Sequence, residues 1–150
     1  MIVVLDASVL IGHLEANDPL HAKATAIMEA TAGHRRVAAA LTRAEVLVGY
    51  ARSVGEQRGC AVLAALRVDT VAVLAGEDSD ELSERAQAWA SLVARTRTRS
   101  GLKMPDAVVL ATAEQVGGLV AALDGRLMRA ARDAGRAFEP ALGVLESRHL

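Results

Sequence analysis

Aromatic side chains make up only 2% of this 150-residue chain, so its 52% hydrophobic content must build a core from Ala, Val, Leu and Ile. Small aliphatic residues suit helices laid on a parallel sheet. The single cysteine excludes an internal disulfide. Cys60 lies in a helical stretch and reads as a small buried hydrophobe. No apolar run approaches the roughly 18 residues of a membrane helix, and the chain does not open on a charged segment followed by a long apolar one. A cytoplasmic protein with no membrane contact is the expectation. Basic excess is missing too: 17 Lys and Arg against 18 Asp and Glu leave a net charge of −1, so any nucleic-acid contact must come from local patches. The four histidines (His13, His21, His34 and His149) are scattered, which disfavours zinc. The glycine patterns of nucleotide-binding loops are absent.

The length suits one domain over residues 1–150, and no repeat, low-complexity segment or linker divides it. Met1 to Leu5 reads as a buried strand ending at Asp6, with helical spacing from Ser8 to Ala16. Asp18-Pro19 resembles a helix cap followed by a first-turn proline, opening a helix that stops near Gly33. Val37 to Leu41 predicts a second strand, and Thr42-Arg43-Ala44-Glu45 has the spacing of a capping box. Helix returns over Cys60 to Leu66, strand over Thr70 to Leu74, and helix over Asp78 to Ala94 with Trp89 on its apolar side. Arg95 to Lys103 forms a basic connector. Pro105 then opens a helix that Gly117-Gly118 stops, Leu119 to Leu123 is a fourth strand, and Asp124-Gly125 turns into a helix from Arg126 to Ala134. Arg136 to Glu139 would add a short edge strand. Strands alternating with helices imply an α/β fold of three layers, α/β/α, around a mostly parallel sheet of four or five strands.

In such a sheet, residues that end strands and residues that start crossover helices share one rim, where ligands bind. Asp6 and Asp124 end strands, Glu45 follows the second strand, and Asp106 begins the helix leading into the fourth. Four acids from distant segments are thereby expected at one rim. A pair of carboxylates about 4 Å apart repels by about 4 kcal/mol at an effective dielectric near 20, so a cation is called for between them. Oxygen-only donors select a hard ion, Mg²⁺ or Mn²⁺, one or two per site. Such an ion acidifies water and neutralises charge on a phosphate, which makes phosphodiester hydrolysis the natural chemistry. Asp6, Asp106 and Asp124 are the candidate metal ligands; Glu45 is a ligand or orients the attacking water. Ser8 and Thr42 are supporting hydroxyls.

Each acid also has an ordinary explanation. Asp6 and Asp124 can be N-caps, Asp106 can complement a helix dipole, and Glu45 can be the capping-box partner of Thr42. Their common location is what those explanations leave out. Arg95, Arg97, Arg99 and Lys103 precede Asp106 and are candidates for holding RNA phosphates; the alternative is a solvated helix end. Arg43, Arg126 and Arg129, near the expected rim, are weaker candidates of the same kind. Trp89 reads as packing rather than a base-stacking platform.

The motifs Val4-Leu5-Asp6-Ala7-Ser8, Thr42-Arg43-Ala44-Glu45, Pro105-Asp106-Ala107 continuing through Leu110-Ala111-Thr112-Ala113, and Leu123-Asp124-Gly125-Arg126-Leu127 occur in the order of a PIN domain. Over nearly its whole length the chain resembles the stand-alone VapC-type toxins of bacterial toxin and antitoxin pairs. That resemblance implies a PIN fold, Mg²⁺ or Mn²⁺ dependence, hydrolytic RNA cleavage, an acidic site at Asp6, Glu45, Asp106 and Asp124, frequent homodimers, and inhibition by a VapB-type antitoxin docking near the acidic groove. One departure is Ala122, where the family often carries Thr or Ser two residues before its last Asp.

Two other classes compete. A phosphoacceptor receiver domain also places an Asp after its first strand, but wants an Asp at the end of the third, where Val73-Leu74-Ala75-Gly76 stands, and a later Lys. A catalytically inactive interaction module on the same fold is the second. A haloacid-type phosphatase would need Asp where Ser8 stands.

Overall fold

The computed structural model describes residues 1–71 and 78–140. Strand β1 (Ile2–Leu5) lies inside a four-stranded sheet of order β3-β2-β1-β4, with β2 at Arg35–Ala38, β3 at Val68–Thr70 and β4 at Leu119–Ala121. All three pairings are parallel, aligning Val4 with Val37 and with Val120. Parallel strands are covered on both faces, which is why Val3, Val4 and Leu5 are all fully buried.

Side chains alternate along each strand and divide the interior into two cores. Val4, Val37 and Val120 face one side, under α5 (Ser79–Ser100), α6 (Met104–Val116) and α7 (Gly125–Asp133). Val3, Leu5, Ala38, Val68 and Ala121 face the other, packed by α1 (Ala7–Leu14), α2 (His21–Ala30), α3 (Ala40–Ala51) and α4 (Glu56–Ala65). Three layers result, α/β/α. A receiver sheet places β1 between β2 and β3; here β1 lies between β2 and β4, which removes the receiver reading.

Several element boundaries depart from the sequence expectation. The helix expected from Asp18-Pro19 starts at His21: Asp18 Oδ1 instead accepts the Leu20 amide at 2.7 Å within the turn, and Leu20 is the N-cap. Strand β2 stops at Ala38, and α3 begins at Ala40 behind an extended Ala39, so Thr42 is the helix's buried third residue and no capping box forms. Alanine favours helix over strand, and three consecutive alanines give β2 no reason to continue. Helix α4 begins at Glu56, ahead of Cys60, which is half-buried. Strand β3 ends at Thr70, and residues 72–74 of the expected third strand lie outside the described residues.

The basic connector is helical. Helix α5 runs through Arg95, Arg97 and Arg99 to Ser100 because Trp89, Leu92 and Val93 pack on the core beneath it and Thr96 is buried. It stops at Gly101, whose φ of +67 gives the left-handed C-cap. The expected edge strand near Arg136 is reduced to one parallel bridge between Ala137 and Val120, with Phe138 turned into the core. Among the described residues no helix is long and apolar enough to cross a membrane.

Candidate active site

Asp6 follows β1 and caps α1. Its Oδ2 accepts the Ser8 amide at 3.1 Å and the Ser8 hydroxyl, while its own amide donates to the Ala121 carbonyl at 3.0 Å. Those bonds hold a buried carboxylate at the junction of β1 and β4. Asp124 follows β4 and caps α7, its Oδ1 accepting the amides of Arg126 at 2.9 Å and Leu127 at 2.8 Å. Asp106 is the third residue of α6, behind Pro105, where the helix dipole favours an acid. Glu45 is the sixth residue of α3, a turn deeper than a capping-box partner would be. Both Asp6 and Asp124 therefore do serve as N-caps. The capping bonds fall on one oxygen of each carboxylate, Oδ2 of Asp6 and Oδ1 of Asp124.

Two of the four acids, Glu45 and Asp106, are perturbed by the charges of others. Desolvation raises the Glu45 carboxyl above its ordinary range, and the charges of Asp6 and Asp106 push it further. Asp106 is likewise raised by desolvation, then by Asp6 and Asp124, with Lys103 and Arg126 opposing. Asp6 thus acts on acids from α3 and α6, and Asp106 couples onward to Asp124. Such a concentration of negative charge favours protons and cations. Hard carboxylate oxygens match Mg²⁺ or Mn²⁺ in chemistry. Among the described residues, however, no three His, Cys, Asp or Glu side chains are grouped so as to hold a metal ion. The donor chemistry fits, and a closed ligand set is not formed.

Ser8 does more than the sequence suggests, since its hydroxyl also accepts the Leu123 amide at 3.1 Å. Ala122, next to Leu123, is buried and brings no hydroxyl to the rim. Thr42 is buried within α3. The basic residues separate into two groups. Arg95, Arg97 and Arg99 occupy the last two turns of α5, where Arg99 pairs with Glu114 and Thr96 Oγ1 reaches the same carboxylate at 3.4 Å. Glu114 lies eight residues along α6 from Asp106, about 12 Å down the helix axis. Lys103, the N-cap residue of α6, and Arg126, the second residue of α7, are the two that act on Asp106. Arg43 reaches toward Thr70 Oγ1 at 3.4 Å, and Arg129 is exposed on α7.

Sequence reasoning missed an open groove between α1 and α3. Ile11, Leu14, Val46 and Tyr50 line it, with Glu15 and Glu45 adding acid. Its one available signal was Tyr50, the sole tyrosine of the chain.

A three-layer parallel α/β/α fold with acids at the strand-end rim defines a class of proteins. The PIN domain family matches residues 3–133, and the chain belongs to that family. The crystal structure of Mycobacterium tuberculosis VapC20, a sarcin-ricin loop cleaving toxin, is similar over 93% of this chain and 99% of its own, with a TM-score of 0.59 and 19% identity. At that identity the likeness is one of fold. No curated protein matches the chain.

Proposed function

We propose that this PIN domain is a metal-dependent endoribonuclease and the toxin of a toxin and antitoxin pair. The carrying observation is that Asp6 and Asp106 act on Glu45, and Asp6 and Asp124 on Asp106, which links four acids from distant segments. Asp6, Asp106 and Asp124 would hold Mg²⁺ or Mn²⁺, one ion or two, through oxygens not engaged in capping. When bound, the ion supplies charge neutralisation at the phosphate and acidifies water. Glu45, whose carboxyl is raised above its ordinary range by burial and then by Asp6 and Asp106, would serve as a further ligand or orient the attacking water. Ser8 keeps the Asp6 carboxylate in one orientation. The basic candidates Arg95, Arg97, Arg99, Lys103 and Arg126 would supply the RNA contacts.

A toxin role would bring with it a VapB-type antitoxin and a homodimer as partners. The absence of a closed ligand set among the described residues favours the rival reading, an inactive interaction module. One experiment separates them. Purified protein with Mn²⁺ should cleave structured RNA, EDTA should stop it, and Asp6→Asn should abolish it while circular dichroism stays unchanged. Equal inertness of wild-type and Asp6→Asn proteins on total cellular RNA with metal supplied would sink the nuclease and leave the interaction module.

A further inference from the structure

We propose that the groove between α1 and α3 is a pocket for an unstacked guanine of the RNA strand, with the Tyr50 ring as its stacking wall and the Glu15 carboxylate reading the base edge. This rests on the nuclease reading and names the nucleotide that its substrate presents beside the acids.

Two residues that line the groove go against the local preferences of their helices. Gly49 is the tenth of the twelve residues of α3. Glycine weakens a helix relative to alanine, and no packing asks for it here, since a Cβ at Gly49 would meet nothing within 4 Å. Gly59 on α4 makes the contrast: a Cβ there would lie 2.9 Å from the Tyr50 ring and 2.7 Å from Leu47. Glu15 is the C-cap of α1, where the negative end of the helix dipole disfavours an acid. A bare stretch of backbone and a misplaced carboxylate thus line one opening, and local rules are broken where a ligand is to be held.

The groove has the size and the chemistry of a single base. Its volume of about 180 Å³ is below the roughly 300–1,000 Å³ of a drug-sized site, so it takes one flat ring system rather than an extended ligand. Ile11, Leu14 and Val46 give it apolar walls, and Tyr50, close against α4 at Gly59, gives it an aromatic one. Bases splayed out of single-stranded RNA stack on aromatic rings and bond along their pairing edges. Gly49 leaves room for such a ring to lie against the α3 backbone. An aliphatic occupant would instead bury Glu15 and Glu45 without offering either a donor. A carboxylate only accepts hydrogen bonds, through two oxygens side by side. Guanine alone among the four bases presents two adjacent donors, N1–H and N2–H, on its pairing edge; adenine, cytosine and uracil each set an acceptor beside their donor, which a carboxylate repels. Glu45 lines the groove and is also one of the rim acids, so a base seated there brings its own phosphate to the acidic site.

The test is equilibrium binding of fluorescein-labelled RNA pentamers, UUGUU, UUAUU, UUCUU and UUUUU, by anisotropy with the full chain in EDTA so that turnover does not intrude. UUGUU should bind about 10-fold tighter than the other three, the discrimination of one bidentate contact. Glu15→Gln should erase that preference and leave UUUUU unchanged. Tyr50→Leu should weaken UUGUU about 10-fold, and Tyr50→Phe should keep it. Gly49→Leu fills the groove with a better helix former, so it should hold or raise the thermal midpoint while weakening UUGUU about 10-fold. A residue that serves folding alone does not give both. Equal affinities for the four pentamers, or no saturable binding of any, overturn the pocket. So does a guanine preference that survives Gly49→Leu and Glu15→Gln, which leaves the groove to a protein side chain. Mn²⁺-dependent cleavage is scored separately. A guanine preference that these variants remove, in a protein that cleaves nothing, keeps the pocket and sinks the nuclease, whereas cleavage without any guanine preference does the opposite.

Discussion

The Ser8 hydroxyl donates to Oδ2 of Asp6 and accepts the amide of Leu123 at 3.1 Å, so one small side chain fastens the end of β1 to the end of β4. Of the four acids, Asp6 takes part in this contact and Asp124 directly follows Leu123 in the chain. Removing the hydroxyl leaves the Asp6 carboxylate and the Leu123 amide each short of a partner. Ser8→Ala should cost about 1 kcal/mol of stability in urea melts. It should also lower RNA cleavage by about 10-fold, the usual loss when a group orienting a metal ligand is removed, and added Mn²⁺ should recover part of it. A cleavage rate equal to that of wild type would show that Ser8 serves folding alone.

Repulsion among the acids should be visible in stability. Asp106 has a folded-state carboxyl raised above its unfolded value, so its contribution is fully present below the unfolded value and is lost as pH rises through the folded one. Glu45 behaves in the same sense. At neutral pH both charged carboxylates therefore weigh against the fold. Asp106→Asn and Glu45→Gln should raise the thermal midpoint at pH 7, narrow the gain that wild type shows on mild acidification, and depress cleavage. Mn²⁺ should raise the wild-type midpoint by mass action and raise that of Asp106→Asn less. Midpoints that fall in both variants would argue against a repulsive cluster.

Acid should act differently on the α1–α2 pair. The His13 and His21 rings lie nearly parallel with centroids 6.2 Å apart; His13 Nδ1 bonds Thr25 Oγ1 and His21 Nδ1 donates to the Gly12 carbonyl, both at 2.9 Å. Burial, then His21 and then Arg36, depress the His13 value below 6.5, with Glu29 opposing. The unfolded chain therefore takes up a proton more readily than the native one, and stability falls as pH drops from about 6.5 through the folded value. His13→Gln should flatten that part of the stability profile, measured by denaturant midpoints between pH 7.5 and pH 5, a range set by the ordinary imidazole value of about 6.5. An unchanged profile would assign the acid sensitivity elsewhere.

Capping and chemistry can be separated at Asp124. Asp124→Ala orphans two amides at the start of α7 and should cost about 1 kcal/mol. Asp124→Ser retains a capping oxygen and should stay within about 0.5 kcal/mol of wild type, because serine caps as well as aspartate. Cleavage should be lost in both. Full activity in Asp124→Ser would reduce this residue to a cap.

Much of the rim was legible from residues alone. Val3-Val4-Leu5-Asp6 reads as a buried strand with an acid at its end because the apolar run is short and uninterrupted, and Pro105-Asp106 reads as a helix start because proline suits only the first turn. Asp124-Gly125 reads as a cap for the same local reason. The motif order then pointed to the PIN family. Where the reading failed, local chemistry was ambiguous. Ala38, Ala39 and Ala40 serve a strand or a helix, and Thr42 resembles a cap until packing buries it. The alternation Arg95-Thr96-Arg97-Thr98-Arg99 looks irregular, yet Thr96 and Arg99 find Glu114 on α6 and the helix persists.

By itself, the sequence determined the alternation of strands with helices and the chain positions of the acids, since hydrophobic period and capping chemistry act between near neighbours. Only the tertiary structure decided which charges act on Asp106, which arginines are already neutralised, and that Ser8 reaches Leu123. Those contacts join residues far apart along the chain, and their geometry follows from how the helices pack on the sheet rather than from any local preference.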